Sequence, residues 1–309
     1  MQLIEGIENI HGQASGSAIT VGNFDGVHLG HKALLDKVME KAKEINGPAV
    51  VMTFEPHPLK VMDPQNCPPL ITTYERKVEL IAKTGIDILI CVPFTREFAK
   101  TAAEKFVKDI LCKTIGIKAI LVGPDYAFGK DRQGSIDFLK KFSAACDFEV
   151  TVVDWVGPEE GRISSTKIRN LIMDGAVSEA QKLLGRYYQV RGSVLPGRNR
   201  GGRLLGFPTA NLKIHNELCP KTGVYAVTVE HGHILYRGVA NIGYSPTFAD
   251  HTFTVEIHVL DFDKNIYGDC IRVNFIERLR GEEKFSGPEE LAVQIRKDII
   301  KAKEILRFL

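Results

Sequence analysis

The strongest constraint on this chain is a change of pattern near Gly185. Before it, short apolar runs at residues 18–21, 49–54, 88–93, 118–122 and 150–156 lack strict polar alternation. Runs of that kind are buried on both faces, as in a parallel sheet. Helical spacing fills the gaps between them. Leu34, Leu35, Val38, Met39 and Ala42 recur at that spacing, as do Val78, Ile81 and Ala82. Phe106, Val107, Ile110 and Leu111 do the same, then Phe138, Leu139 and Phe142. Repeated strand–helix alternation predicts an α/β doubly wound parallel sheet. Two short helices, over residues 165–173 and 177–184, close this half.

After Gly185, residues 189–195, 223–230, 235–242, 253–260 and 270–279 read as strands with turn residues between them. No helix separates them, which predicts an antiparallel β-barrel. A terminal helix begins near Pro288, with Leu291, Ile295, Ile299 and Ile300 as its apolar face. Two domains follow, residues 1–185 and 186–309. The length of 309 residues agrees, at roughly 150 residues per domain. Charge divides at the same point: 22 basic and 24 acidic groups give −2 before it, and 18 and 14 give +4 after it. Arg198, Arg200 and Arg203 supply most of that excess, and their glycine-rich setting makes a candidate anion site.

Composition excludes several classes. A 44% hydrophobic and 25% charged content is that of a globular chain. No apolar run approaches the roughly 18 residues of a membrane span, and no basic-then-apolar leader opens the chain. Forty Lys and Arg against 38 Asp and Glu leave +2, too little for a polyanion surface, so no nucleic-acid partner is expected. Cys67, Cys91, Cys112, Cys146, Cys219 and Cys270 are scattered, which predicts inert, reduced thiols in a cytoplasm.

The segment Gly22-Asn23-Phe24-Asp25-Gly26-Val27-His28-Leu29-Gly30-His31 follows the first predicted strand and enters the first helix. Ligands of open α/β sheets bind there, outside the strand ends and beside helix N-termini. His28 and His31 are three apart, so both rings can face one pocket and donate to charge developing on a phosphate oxygen. A capping turn with two surface histidines explains the same residues, as does half a zinc site, for which no partner pair is well spaced.

Other segments read less sharply. Pro56 and Pro58 stiffen the loop after the second strand, which suits a wall for an aromatic ligand or an ordinary turn. Asp125 follows the fourth strand, where it can hold a sugar hydroxyl or an adenine-side group, or stabilise a turn. Ser164 or Ser165 would cap the next helix, leaving hydroxyls, N–H groups and Arg169 for a triphosphate. Residues 123–130 mimic a P-loop, but the glycine spacing is too long and Asp131 follows Lys130, so they are not one. In Gly206-Phe207-Pro208-Thr209-Ala210-Asn211, Thr209 and Asn211 share a face of extended chain. Their oxygens suit Mg²⁺ and the phosphates it bridges, or a capped turn.

Together these segments resemble the bacterial bifunctional riboflavin kinase/FAD synthetases. The GNFDGVHLGH decapeptide is similar to that family's nucleotidylyltransferase signature. Phe54-Glu55-Pro56-His57-Pro58 resembles its FEPHP loop, residues 122–129 its VGxDFxFG segment, and residues 163–169 its ISSTxIR box. Residues 197–211, 223–226, 241–248 and 255–258 resemble its kinase module.

The resemblance implies catalytic roles for His28, His31 and Glu256. For Glu256 the alternative is a solvent-facing strand residue. It implies ATP contacts at Gly22, Phe24, Asp25, Gly30 and Asp125. Further contacts fall on Ser164, Ser165, Thr166, Arg169, Gly206 and Pro208. Flavin contacts fall on Phe54, Pro56, Pro58 and Phe128, and Mg²⁺ contacts on Thr209 and Asn211. Riboflavin, FMN and FAD would be substrates and products, with ATP as co-substrate. Two departures stand out: Gly201-Gly202-Arg203 carries one extra glycine, and Ala127 replaces a frequent basic residue, with Lys130 or Arg132 as substitutes. The rival readings are a nucleotidylyltransferase with another phosphate acceptor and a non-catalytic flavin sensor.

Overall fold

Successive residues of each apolar run in the first half point to opposite faces of a sheet, and both faces are covered. The computed structural model describes residues 1–154, 162–196, 206–244 and 253–309. Residues 155–156 of the last predicted run of the first half lie outside the described residues, as do Arg198, Arg200, Gly201, Gly202 and Arg203. The segment Ser245-Pro246-Thr247-Phe248 lies outside them too.

The strands of the first half are β1 (Gln2–Glu5), β2 (Ala18–Val21), β3 (Ala49–Glu55), β4 (Ile88–Pro93), β5 (Ala119–Val122) and β6 (Glu149–Val152). They form one sheet in the order β1-β4-β3-β2-β5-β6, every pairing parallel. Its helices are α1 (Leu29–Glu44), α2 (Pro58–Met62), α3 (Tyr74–Ala82), α4 (Ala103–Lys105, continuing as a π-helix over Phe106–Ile115) and α5 (Ile136–Cys146). Ile19 and Val21 of β2 join one core with Met52, Ile120, Phe106 and Leu139. Ala18 joins the other, with Val51, Leu121, Leu35, Val38 and Ile81. That division explains the unalternated runs, since each strand has an apolar layer on either side.

The sheet order also positions the ligand site. From β2 the chain steps outward to β3 and β4, then returns to β5 on the other side of β2. Strand order reverses between β2 and β5, and ligands of such sheets bind in the crevice outside the strands' carboxyl ends at that switch. The loops after β2 and β5 begin at Gly22 and Gly123, the two glycine-bearing segments read from sequence.

The second half is a closed barrel of β7 (Tyr188–Leu195), β8 (Ala210–Ile214), β9 (Gly223–His231), β10 (Ile234–Tyr244), β11 (Phe253–Val259) and β12 (Cys270–Arg280). Its order is β10-β11-β8-β7-β12-β9, antiparallel throughout. Strand β8, absent from the sequence reading, sits between β11 and β7 and completes the closure. Tyr188, Tyr225 and Phe275 are fully buried. The Phe275 ring centroid lies 5.3 Å from that of Tyr225 and 6.3 Å from that of Tyr188.

Helix α8 (Pro288–Ile305) packs Ala302 and Ile299 into a cluster with Val224, Ala226, Val239 and Ile276. Ile300, read as part of that face, is exposed, because neighbouring helical residues point about 100° apart. Arg280 grips the buried Asp298 of α8, its Nε and Nη2 donating at 2.8–3.1 Å.

The chain divides into two compact units, Met1–Ser164 and Ser165–Leu309. Helices α6 (Ser165–Met173) and α7 (Val177–Leu184), read as closing the first half, therefore group with the barrel, where α7 packs on β7 and β12.

Candidate functional site

In the first unit the loop after β2 is held in a costly conformation. Phe24, Gly26 and Val27 have φ of 50°, 84° and 38°. A positive φ is unusual for any L-residue and most so for a β-branched one such as Val27, so the surrounding bonds must over-determine it. Asp25 supplies them. Its buried carboxylate accepts from the Ile71 N–H at 3.0 and 3.1 Å and the Thr72 N–H at 3.2 Å. The Gly26 N–H donates to the Thr72 hydroxyl at 3.2 Å, and the Val27 N–H to the Phe24 carbonyl at 3.1 Å.

That frame delivers the histidines. His28, only 5% exposed, caps α1, its Nδ1 accepting from the His31 N–H at 3.2 Å. An accepting Nδ1 carries no proton, which leaves the ring's proton on Nε2. The two imidazoles stack with centroids 3.6 Å apart and planes 13° apart, and Phe24 meets His31 edge-on at 5.2 Å. Gly22 leads this loop. A Cβ at Gly30 would lie 3.2 Å from His28 Nδ1 and 3.7 Å from the Ile163 carbonyl, so glycine keeps the helix start close to both.

Ile163 opens the ISST segment, and Arg162 just before it donates to Asp125 at 2.7 Å. The histidine loop, the Asp125 loop and the approach to Ser164 therefore meet within the first unit. Lys130 and Arg132 lie exposed in the turn after Phe128. Ser165, Thr166 and the buried Arg169 stand on α6, in the second unit.

The aromatic residues of the first unit fall into two clusters. Phe54 ends β3 half-buried, its ring 5.5 Å from Phe94 and 6.0 Å from Phe98, and those two are 5.7 Å apart. Pro56, joined to Glu55 by a cis peptide bond, is exposed, and Pro58 begins α2. Phe128 is only 8% exposed, packed against Phe106, Tyr126 and Phe138 at 5.5–6.0 Å. Its ring belongs to the same core layer as Phe106.

Phe94 and Phe98 escaped the sequence reading, as did Lys77 of α3, whose Nζ donates to the Phe54 carbonyl at 3.1 Å. The signal for Lys77 was present, because it lies four residues before Ile81 and so on the helix's apolar side.

In the second unit the site is made by strand register. Glu256 of β11 lies directly opposite Asn211 of β8 and Asn241 of β10. Opposed residues of antiparallel strands share a face, with Cβ atoms about 5 Å apart. Thr209 immediately precedes β8, two residues from Asn211. Val255 and Ile257 point to the core, which leaves Glu256 and His258 on the other face. His258 Nδ1 bonds the Pro208 carbonyl at 2.8 Å, and its ring meets Phe207 edge-on at 5.8 Å. That contact secures the approach to β8, in which Gly206 and Pro208 are exposed and Phe207 is half-buried. Burial pushes the Glu256 carboxyl above the usual carboxylate range. Asn241 and His258 were not singled out as site residues from sequence, because their relation to Glu256 appears only once the register is known.

Thr209 and Asn211 offer a hydroxyl and an amide oxygen, donors that fit a hard cation taking most of its ligands from phosphate and water. Among the described residues no group of three or more His, Cys, Asp or Glu is placed to hold a metal. None of their helices is long and apolar enough to cross a membrane.

Both halves of the chain match known proteins. The FAD synthetase family model matches residues 10–167 and the riboflavin kinase model residues 184–306. The chain is 38% identical over 306 residues to the bifunctional riboflavin kinase/FMN adenylyltransferase of Escherichia coli strain K12, covering 98% of this chain and 97% of that protein. The Haemophilus influenzae protein of the same description is 38% identical over 305 residues, covering 98% of each. A solved Streptococcus pneumoniae structure, described as a macrolide-efflux protein, matches with a TM-score of 0.89 at 34% identity, covering 98% of this chain and 99% of that one. The chain belongs to the bifunctional riboflavin kinase/FMN adenylyltransferase family. It is an enzyme with a kinase and a nucleotidyltransferase module, and neither rival reading is favoured.

Proposed function

We propose that the barrel transfers the γ-phosphate of ATP to the 5′-hydroxyl of riboflavin, and that the parallel-sheet domain then adenylylates the FMN so formed. In the first step the hydroxyl oxygen bonds phosphorus, the bond to the β-phosphate oxygen breaks, and ADP leaves. Glu256 takes the hydroxyl proton, while Thr209 and Asn211 orient the phosphates. In the second step an FMN phosphate oxygen bonds the α-phosphorus of another ATP, and pyrophosphate leaves. His28 donates from Nε2 to the charge growing on phosphate oxygens, and His31 braces it.

Gly22, Phe24 and Gly30 shape the backbone against ATP, with Asp25 holding their loop. Asp125, Ser164, Ser165, Thr166 and Arg169 bind its sugar and phosphates. In the barrel, Gly206 and Pro208 line the nucleotide's approach. Phe54, Pro56, Pro58 and Phe128 wall the flavin. Thr209 and Asn211 would hold Mg²⁺ together with the phosphates, and the ion would supply charge neutralisation. The functional domains are residues 1–185 and 186–309, working in the cytoplasm on small molecules without a nucleic-acid partner.

The single observation carrying this reading is the cross-strand pair of Glu256 and Asn211. A carboxylate opposite an amide oxygen supports the reading, since a kinase needs a proton acceptor beside a phosphate ligand. The test is incubation with riboflavin and MgATP, followed by chromatography of fluorescent products. FMN followed by FAD is expected. Riboflavin left unphosphorylated would remove the kinase step, and FMN without FAD would remove the second.

A further inference from the structure

One buried charge in the first unit has no part in the steps above. Lys77, in the first turn of α3, is only 7% exposed. Burying an ammonium is costly unless it is paired and hydrogen-bonded. Its Nζ donates to the Phe54 carbonyl at 3.1 Å and lies 3.6 Å from Glu55 Oε2. It thus grips two consecutive residues where β3 leaves the sheet. The same corner is tied from β4, whose following residue Phe94 donates its N–H to the Glu55 carbonyl at 3.1 Å. Both ties converge on the strand end that turns the Phe54 ring toward Phe94 and Phe98.

Neighbouring groups reinforce the Lys77 side of this corner. Tyr74, one turn earlier on α3, donates to Glu5 Oε1 of β1 at 3.0 Å and fixes the helix over the sheet edge. The Cys91 thiol of β4 is pushed up by burial, so it remains a neutral neighbour. The lysine therefore faces a carbonyl and a carboxylate at the point where the loop begins. Gripping the last two residues before Pro56 sets where the exposed loop starts.

We propose that Lys77 is a positioning residue for the flavin of the adenylylation step. It fixes the Phe54–Glu55 corner so that Phe54, Phe94 and Phe98 stand as one aromatic wall. Phe94 and Phe98 thereby become flavin contacts alongside Phe54. The inference rests on the adenylyltransferase reading of this unit. A wall displaced by even about 1 Å loses much of its effect on a bound ring.

The test compares Lys77→Met with Lys77→Arg in the full chain, which keeps riboflavin phosphorylation by the barrel as an internal control. Lys77→Met should raise the KM for FMN about tenfold while the KM for ATP in the same reaction stays within about twofold, a split that general damage does not produce. Lys77→Arg, which can still donate to both oxygens, should recover most of the loss. Should Lys77→Met fail to fold, Glu55→Gln carries the question, with an FMN KM raised roughly threefold and the ATP KM held. An unchanged FMN KM, or FMN and ATP constants rising together as Tm falls, would overturn the proposal. A wild-type chain unable to adenylylate FMN would instead defeat the reading beneath it, so the two failures are told apart.

Discussion

The two candidate sites are assembled in opposite ways. The adenylylation site is built from loops at the carboxyl ends of the central strands of a parallel sheet. Its chemistry sits in contiguous segments, and strained residues such as Val27 are held by the buried Asp25. The kinase site is built across strands: Glu256, Asn211 and Asn241 come from three segments and meet only through register. A loop site depends on the bonds that freeze its backbone. A register site is fixed by the barrel, and depends on the charge state of one half-buried carboxylate.

Breaking the register site should have the largest effect. Glu256→Gln keeps the shape and removes the proton acceptor, so riboflavin phosphorylation should fall about a hundred- to ten-thousandfold while supplied FMN is still converted to FAD. Loss of both activities in a folded protein would erase the distinction between the sites. His28→Ala is the reciprocal change. FAD formation should fall about a hundred- to a thousandfold, with FMN accumulating from riboflavin. Unchanged FAD output would remove His28 from the chemistry.

Two smaller effects sharpen the contrast. Asp25→Ala should destabilise the first unit by about 1–3 kcal/mol for each buried N–H left unpaired, read as an earlier unfolding transition. An unshifted transition would mean that the loop is held by other bonds. The kinase rate should fall with acidification at a pH above that of an ordinary glutamate, because burial raises the Glu256 pKa. Stability carries the opposite sign. Between the ordinary glutamate value and the raised one, the folded protein keeps a proton that the unfolded chain has lost, so this group's contribution declines as pH rises. Glu256→Gln should abolish that decline, and melting curves of both proteins across the interval would read it.

Much of this was legible beforehand, and the exceptions have physical causes. The unalternated runs declared a sheet covered on both faces, and the decapeptide marked its switch point. Strand β1 has only Leu3 and Ile4 as apolar residues and lies at the sheet edge, so its pattern is too short to read. Strand β8, with Asn211 and Lys213 in five residues, owes its existence to pairing with β7 and β11 rather than to its own propensity. The burial of Phe128 was not legible either, because it depends on Gly134, far along the loop, leaving room for the ring. Lys77 was passed over despite its place on the apolar side of α3, because a charged residue on a helix is ordinarily assigned to water.

The most direct measurement mixes the two disabled proteins. Neither His28→Ala nor Glu256→Gln should make FAD from riboflavin and MgATP alone. Together they should, the first releasing FMN and the second adenylylating it. A mixture that yields no FAD, although each protein still performs its remaining step on supplied substrate, would contradict two independently working sites.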